Sequence, residues 1–249
     1  MDLDTVILIL VGLGVGFCSG MFGIGGAVLM TPILVLLGYP DNIALATPLV
    51  GAVFSAISGG SVYFKEKLIN YRVGLITVLS ALSTAWIGVL LTSQLPSIII
   101  YIKAIFMFFL AISLILPMKE GEKQNRLKSN VFIIIIIGAF TGFTSALLAI
   151  GGGIVFIFAF ARILKLGIKE TIATSLFCVG IIALMNSILH FTHGNIDMMV
   201  ALSTIIGIIP AAYLGSKVAI NMSNQKLKYS FAVTLSVFAV LFIIWRYFN

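Results

Sequence analysis

Charged side chains are scarce in this chain: 9% of its 249 residues are charged, while 61% are hydrophobic. Soluble domains usually carry about 25% charged residues, so the composition excludes an ordinary soluble protein. Apolar runs follow one another with short polar breaks, and a membrane-spanning helix needs roughly 20 such residues. We therefore expect an all-α polytopic protein of the cell (inner) membrane, surrounded by the lipid bilayer and without a nucleic-acid partner.

Acidic residues are missing from the middle of every apolar run. The 8 Asp and Glu residues all lie at the termini or near loops. Because cation-coupled carriers commonly hold carboxylates inside the membrane, this absence favours an anion as substrate. The first residues, MDLDT, contain no basic residue. A cleaved signal peptide begins with a positive segment, so we expect the first helix to be retained.

Sequence signatures of enzymes are also missing. No H-E-x-x-H zinc motif, paired carboxylates or G-x-S-x-G nucleophile motif occurs, so we expect neither an enzyme nor a metal or cofactor site. His190 and His193 have no third metal ligand nearby. The two cysteines, Cys18 and Cys178, leave one alternative function open, a membrane thiol–disulfide electron carrier. That alternative requires their Cα atoms to approach within about 7 Å.

Three sequence blocks occur twice, in the same order and 126 or 127 residues apart. They are GFCSGMFGIGGAVL (16–29) with GFTSALLAIGGGIV (142–155), IALATPL (43–49) with ETIATSL (170–176), and AWIG (85–88) with AYLG (212–215). Internal repetition of this kind indicates a duplicated architecture. The sequence therefore predicts a first repeat at 1–117 and a second at 131–249, joined by a polar cytoplasmic linker at 118–130.

Each repeat contains five apolar elements. They lie at about 4–22, 27–38, 43–64, 73–93 and 97–116, and again at about 131–149, 153–166, 169–191, 197–220 and 226–247. The second element of each repeat is too short for a span, because 27–38 covers about 18 Å of a hydrocarbon core about 30 Å thick. We expect these two elements to be half-helices or re-entrant segments.

Because five is an odd number, we expect the second repeat to be inverted relative to the first, as in many secondary transporters. With both termini outside, only Lys103 and Arg246 of the 15 Lys and Arg residues fall on the outer side. That distribution follows the positive-inside rule and accounts for the net charge of +7. Lys103 lies within an apolar element, and we expect its side chain to snorkel to the surface, with a functional role as the alternative.

A glycine-rich break precedes the short element of each repeat, GIGGA at 23–27 and AIGGG at 149–153. A helix N-terminus has unpaired N–H groups and a partial positive charge, and glycine lets an anion approach the backbone closely. The two breaks therefore predict an anion site at Gly25, Gly26, Gly152 and Gly153. Close helix packing through small residues is the alternative.

Hydroxyl groups follow the short element in both repeats. Thr47 followed by Pro48 is typical of a helix start, so we expect the third element to restart at Thr47. Thr174 and Ser175 supply hydroxyls at the matching place, with ordinary back-bonding to the helix as the alternative. Asn186 is expected to face the substrate cavity or to form an interhelical hydrogen bond. Four further side chains are candidate substrate contacts: Cys18, Ser19, Ser145 and Cys178.

Together these patterns resemble the sulfite exporter TauE/SafE family of membrane permeases. Two glycine breaks, each followed by an apolar half-helix and then A-T-P or A-T-S, carry the resemblance, which covers residues 12–245. It implies transport of small sulfur-containing anions, such as sulfite or organosulfonates, and a site between the repeats. Carried over, that site comprises Gly25, Gly26, Thr47, Gly152, Gly153, Thr174 and Ser175.

The first repeat departs from the family pattern at two positions. Ala27 stands where a third glycine is expected, and Pro48 stands in place of the serine. These departures leave open whether the two repeats contribute equally to the site. We therefore hypothesise that the chain is an anion permease that works by alternating access, with the anion held at half-helix N-termini.

Overall fold

The computed structural model describes residues 3–94, 98–99, 102–103, 105–106, 130–234 and 237. Its helices are α1 (Leu3–Phe22), α2 (Ala27–Leu36), α3 (Asp41–Lys65), α4 (Tyr71–Gln94), α5 (Val131–Leu147), α6 (Gly153–Phe158), α7 (Ile168–Thr192) and α8 (Met198–Asn221). Residues 224–234 are helical too. These ranges contain no strand, which confirms the all-α prediction. The linker at 118–129, Arg246 and most of the fifth element of each repeat lie outside the described residues.

Five helices, α1, α3, α4, α7 and α8, are long and apolar enough to cross a membrane. Their outward faces carry large apolar side chains, such as Leu79 (70% exposed) and Met199 (72% exposed), which suit contact with lipid. The short helices α2 and α6 lie in the core, where residues such as Leu29 and Phe156 are fully buried. At 10 residues, α2 covers only about 15 Å, as the sequence predicts for this element.

The predicted restart of the third element at Thr47 is wrong. Helix α3 runs without interruption from Asp41 to Lys65, with Pro48 inside it and Pro40 at its N-cap. Proline is tolerated within membrane helices when neighbouring groups compensate for the lost hydrogen bond. The hydroxyl of Thr47 does not cap its own helix, because it accepts a hydrogen bond from the backbone N–H of Asp197 at 3.1 Å.

The backbone repeats at the offsets found in the sequence. Every described residue with a positive φ has a counterpart 126 or 127 positions away, and the pairs are Gly23 with Ala149, Gly25 with Gly151, Gly26 with Gly152, Gly38 with Lys165, and Lys67 with Gly194. Residues other than glycine rarely adopt this conformation. The pairing therefore indicates that the two halves share the same sequence of turns.

A π-helical turn explains why the offset grows by one residue. The offset is 126 at Gly152 and 127 at Lys165, and the π-helix Ala159–Ile163 lies between them, directly after α6. A π turn closes its hydrogen bonds from residue i to i+5, so it holds one residue more than an α turn. The second half therefore accommodates its extra residue inside the short helix, and the flanking turns keep their shape.

Glycines join the first helix of each half to the fourth helix of the other half. A Cβ atom built on Gly16 of α1 would lie 2.7 Å from the Cα atom of Ile208 in α8. One built on Gly142 of α5 would lie 2.2 Å from the carbonyl oxygen of Ala81 in α4. Small residues permit such close backbone approach in membrane proteins. The two halves are thus interlocked through two equivalent helix pairs.

Replacing Gly142 with alanine tests these contacts. We expect Gly142→Ala to lower the free energy of unfolding by about 1–3 kcal/mol, because the added methyl group overlaps backbone atoms of α4. Gly14→Ala in α1 is the matched control, since no atom lies within 4 Å of the added carbon. Thermal unfolding of the detergent-purified variants measures both effects. Equal melting temperatures for the two variants would show that the helix contact is looser than described.

Candidate functional site

The two glycine breaks meet in the interior of the protein. A Cβ atom built on Gly153 would lie 2.4 Å from the backbone atoms of Ile24, so the second break touches the first. The Ser175 hydroxyl lies 2.9 Å from the carbonyl oxygen of Gly23 and 3.2 Å from that of Gly153. One α7 side chain therefore bridges both breaks. The structure brings these sequence-predicted site residues together.

Two side chains from the long helices line the other side of both breaks. A Cβ atom built on Gly25 would lie 2.4 Å from Cγ1 of Val179 and 3.6 Å from Cβ of Ala52. One built on Gly151 would lie 3.8 Å and 3.9 Å from the same two atoms. Ala52 and Val179 are themselves 127 residues apart. The breaks thus share one small apolar wall, formed equally by α3 and α7.

The short helices begin at the breaks with unpaired backbone donors. Gly26 is the N-cap of α2 and Gly152 is the N-cap of α6, and neither helix start has a side-chain cap. The backbone N–H groups of Val28, Ile154 and Val155 have no hydrogen-bond acceptor among the described residues. Free N–H groups at a helix start carry a partial positive charge. This arrangement suits a small anion.

The predicted threonines lie where other helices begin. Thr47 Oγ1 accepts a hydrogen bond from the N–H of Asp197, which caps α8, and Thr174 Oγ1 accepts one from the N–H of Asn70, 3.0 Å away. The side chain of Asn70 in turn accepts a hydrogen bond from the third residue beyond it, Val73 of α4. Both hydroxyls therefore anchor helix starts, and their contact with substrate stays a prediction.

Ser175→Ala tests the bridge between the breaks. We expect it to lower the free energy of unfolding by about 1–3 kcal/mol, because the variant removes a buried hydroxyl donor that lies between carbonyl groups of both breaks. The control is Ser61→Ala, since the exposed Ser61 hydroxyl only bonds back to Ser58 within its own helix. Chemical or thermal unfolding of the two purified variants compares them. An equally stable Ser175→Ala variant would contradict the bridging role.

The two cysteines occupy different surroundings. Cys18 of α1 is partly exposed, whereas Cys178 of α7 is buried with its thiol 3.7 Å from the carbonyl oxygen of Gly74 in α4. Both are free thiols. Beside Cys18, the hydroxyl of Ser19 shares a hydrogen bond of 2.5 Å with Ser55 of α3. Neither cysteine pairs with the other, and substrate contact by Cys18, Ser19 or Cys178 stays a prediction.

Several buried polar side chains of the second half have no hydrogen-bond partner among the residues that the structure describes. Asn186 is fully buried, and neither its amide oxygen nor its amide nitrogen has a hydrogen-bond partner in the described part of the chain. The hydroxyl of Ser145 and both ring nitrogens of His190 likewise have no hydrogen-bond partner among the described residues. Buried polar groups are normally satisfied. These three residues therefore point to a ligand.

Lys103 turns inward, so the expectation that it snorkels to the surface is wrong. Its side chain is 2% exposed, and its Nζ atom donates to Thr31 Oγ1 (2.6 Å) and to the carbonyl oxygen of Ala149 (3.1 Å). No carboxylate among the described residues pairs with it. Its position inside an apolar run was the available signal, because ionisable residues at membrane depth commonly mark functional sites.

Comparisons with known proteins identify relatives along the whole length. The family described as Sulfite exporter TauE/SafE matches residues 8–242. The probable membrane transporter protein YjnA of Bacillus subtilis is 27% identical over 94% of this chain and 97% of its own length. A probable membrane transporter protein of Methanocaldococcus jannaschii is 28% identical over 96% of this chain and 95% of its own length.

A plant protein matches over a shorter segment. The sulfite exporter TauE/SafE family protein 3 of Arabidopsis thaliana is 31% identical over 41% of this chain and 23% of its own length. No solved structure matches the chain. The match over residues 8–242 spans both glycine breaks and every residue of the site described above.

Proposed function

The chain belongs to the sulfite exporter TauE/SafE family of membrane transporters, and from that membership we propose that it carries small sulfur-containing anions such as sulfite or organosulfonates. It is a transporter and not an enzyme. Membership in the family is the basis for the proposed substrate class. The geometry of the glycine breaks supports the binding of an anion.

The observation that carries this proposal is the meeting of two helix starts in the protein interior. The donors of Val28, Ile154 and Val155 are buried and lack acceptors within the described ranges. A small anion held there would be stabilised by these N–H groups and by both helix dipoles. We place the anion against Gly25, Gly26, Gly152 and Gly153, with additional hydroxyl contacts from Thr47, Thr174 and Ser175.

We further propose that the two halves are inverted repeats and that transport proceeds by alternating access. The paired positive-φ residues and the two glycine-mediated helix pairs support this, because each half makes the same contacts with the other. Inverted halves give outward-open and inward-open states of similar energy. In this arrangement both termini lie outside and the linker at 118–130 lies in the cytoplasm.

A ligand panel tests the substrate class. We expect sulfite, thiosulfate or a sulfonate to raise the melting temperature of the detergent-purified protein, because a ligand that binds only the folded state stabilises it. Carboxylates of similar size are the control and should give a smaller shift. A panel in which no sulfur oxyanion stabilises the protein would contradict the proposal.

A cysteine-free variant separates transport from thiol–disulfide electron transfer. The double variant Cys18→Ser and Cys178→Ala is expected to retain sulfite transport, since both thiols are free and the anion is placed mainly against backbone N–H donors and hydroxyl groups. Transport in proteoliposomes would be compared with that of the wild type. Loss of activity in a folded cysteine-free protein would instead favour the electron carrier.

A further inference from the structure

Polar side chains at equivalent positions of the two halves differ in residue type and in hydrogen bonding. In the first half, Ser19 bonds to Ser55, and the hydroxyl of Tyr63 donates to the carbonyl oxygen of Gly20 at 2.8 Å. The counterparts 126 or 127 positions later are Ser145, Ile182, His190 and Ala146. Ile182 offers no polar partner, which leaves Ser145 without the hydrogen bond that Ser19 makes.

A second difference between the halves lies at Asn186, one helical turn before His190. Its counterpart in the first half is Gly59, where an added Cβ atom would lie 2.7 Å from Oγ of Ser216. That serine, which belongs to α8 of the second half, donates to the carbonyl oxygen of Gly20 at 3.0 Å, so the space beside Gly59 is filled by a hydrogen-bonded contact between the halves. The second half instead carries a buried amide with no partner.

The unpartnered groups of α7 lie on the helix face that lines the second glycine break. Helix α7 presents Val179, Ala183, Asn186 and His190 at helical spacing, and a Cβ atom built on Gly151 would lie 3.9 Å from Cβ of Ala183. Asn186 follows one turn further along the same face. His190 follows one turn after Asn186 on the same face of α7.

Ser145 and Lys103 each form a hydrogen bond with the backbone at the start of the second glycine break. Ser145 lies at the end of α5, and its carbonyl oxygen accepts a hydrogen bond from the N–H of Ile150 at 3.0 Å. Lys103 bonds to the neighbouring carbonyl oxygen of Ala149. An ammonium group has three donors, and the described partners of Lys103 take two of them. The third donor has no acceptor among the described residues.

We propose that Lys103, Ser145, Asn186 and His190 form an oxyanion-binding site beside the second glycine break, in which Lys103 of the first half supplies the charge and three side chains of the second half supply neutral hydrogen-bonding groups. This inference rests on the proposed function and names the residues that select its anion. The ammonium group balances the negative charge. The amide, hydroxyl and imidazole groups donate hydrogen bonds to separate oxygen atoms of a sulfite or sulfonate group.

Ser145 and Ser19 provide a matched pair of variants. Ser145→Ala is expected to weaken sulfite binding by about 3- to 10-fold, the effect of one lost hydrogen bond, and to leave the melting temperature unchanged or higher. Ser19→Ala should lower the melting temperature, because it breaks the bond to Ser55. Isothermal titration with sulfite measures the Kd, and thermal unfolding without ligand measures stability. Unchanged binding in both variants would overturn the inference.

Asn186→Leu separates recognition from packing. The leucine side chain has a similar volume and removes two unsatisfied polar atoms, so we expect equal or greater stability without ligand and a Kd raised by about 10-fold. A structural role would produce the opposite pattern, lower stability with unchanged binding, and would overturn the inference. The first-half control is Tyr63→Phe, which should lower stability without changing the Kd.

Lys103→Met removes the charge at similar side-chain length. We expect it to raise the Kd for sulfite by about 10- to 100-fold, because hydrogen bonds from charged groups are the strong ones. If this variant does not fold, Ser145→Ala and Asn186→Leu decide the matter. Unchanged affinity in the folded Lys103→Met protein would overturn the inference.

Two outcomes separate this site from the proposed function. If the wild type binds sulfite and all variants bind it equally, the inference fails while the function stands. If the wild type binds no sulfur oxyanion but binds inorganic phosphate or nitrate, and Ser145→Ala weakens that binding, the function fails while the site stands.

Discussion

Replacing Gly153 with valine is expected to abolish transport and to lower the free energy of unfolding by at least about 3 kcal/mol. A Cβ atom at this position would lie 2.4 Å from Cα, C and O of Ile24, and backbone atoms cannot rotate away as a side chain does. Overpacking of well-filled sites costs about 1–3 kcal/mol even where neighbours adjust. Here the overlap also drives the two glycine breaks apart.

The matched control for this variant is Gly60→Val in α3, where no atom lies within 4 Å of an added Cβ. We expect that control to fold and to transport at a rate close to that of the wild type. Size-exclusion chromatography establishes folding, and uptake into proteoliposomes measures transport. A folded Gly153→Val protein with full transport would mean that contact between the breaks is dispensable.

The second large effect concerns the caps of the short helices. Gly26 and Gly152 have φ values of 76° and 85°, combined with negative ψ values, and side chains strain such backbone by about 1–3 kcal/mol. We expect Gly26→Ala and Gly152→Ala each to reduce the affinity for sulfite at least about tenfold, because the displaced turns redirect the helix donors. The effect should be larger at Gly152, whose added carbon meets the ring of Phe156 at 2.5 Å.

Gly38→Ala is the control for backbone strain alone. Gly38 has a φ of +84°, with nothing within 4 Å of an added Cβ, and it lies in the turn after α2. It should lower stability by a similar amount and leave sulfite affinity unchanged. Equal losses of affinity in all three variants would show that general destabilisation, and not the cap geometry, causes the effect.

Local signals in the sequence were sufficient for much of the fold. The glycine breaks end α1 at Phe22 and start α2 at Ala27, because neither positive φ nor a sharp turn suits other residues. The repeat offset likewise anticipated the paired turns of the backbone. The one-residue change in that offset had no explanation in the sequence, since a π-helical turn such as Ala159–Ile163 leaves no recognisable composition.

Features that depend on contacts between distant residues were not predictable. The Thr47–Pro48 pattern suggests a helix start, yet the partner of Thr47 is Asp197, 150 residues away. The sequence predicts that Lys103 snorkels to the surface, but in the structure its Nζ atom donates to the carbonyl oxygen of Ala149. The departure at Pro48 did indicate that the two halves differ at this position. Its counterpart Ser175 bridges the two breaks with a hydroxyl group, which proline lacks.

The most direct test of the central claim is sulfite counterflow in proteoliposomes. Vesicles loaded with unlabelled sulfite and placed in radiolabelled sulfite should accumulate the label transiently, with saturable initial rates in the wild type and loss of uptake in Gly153→Val. Carrier-mediated exchange through the paired glycine breaks predicts this result. Uptake that rises linearly with concentration, shows no counterflow or persists in folded Gly153→Val would contradict it.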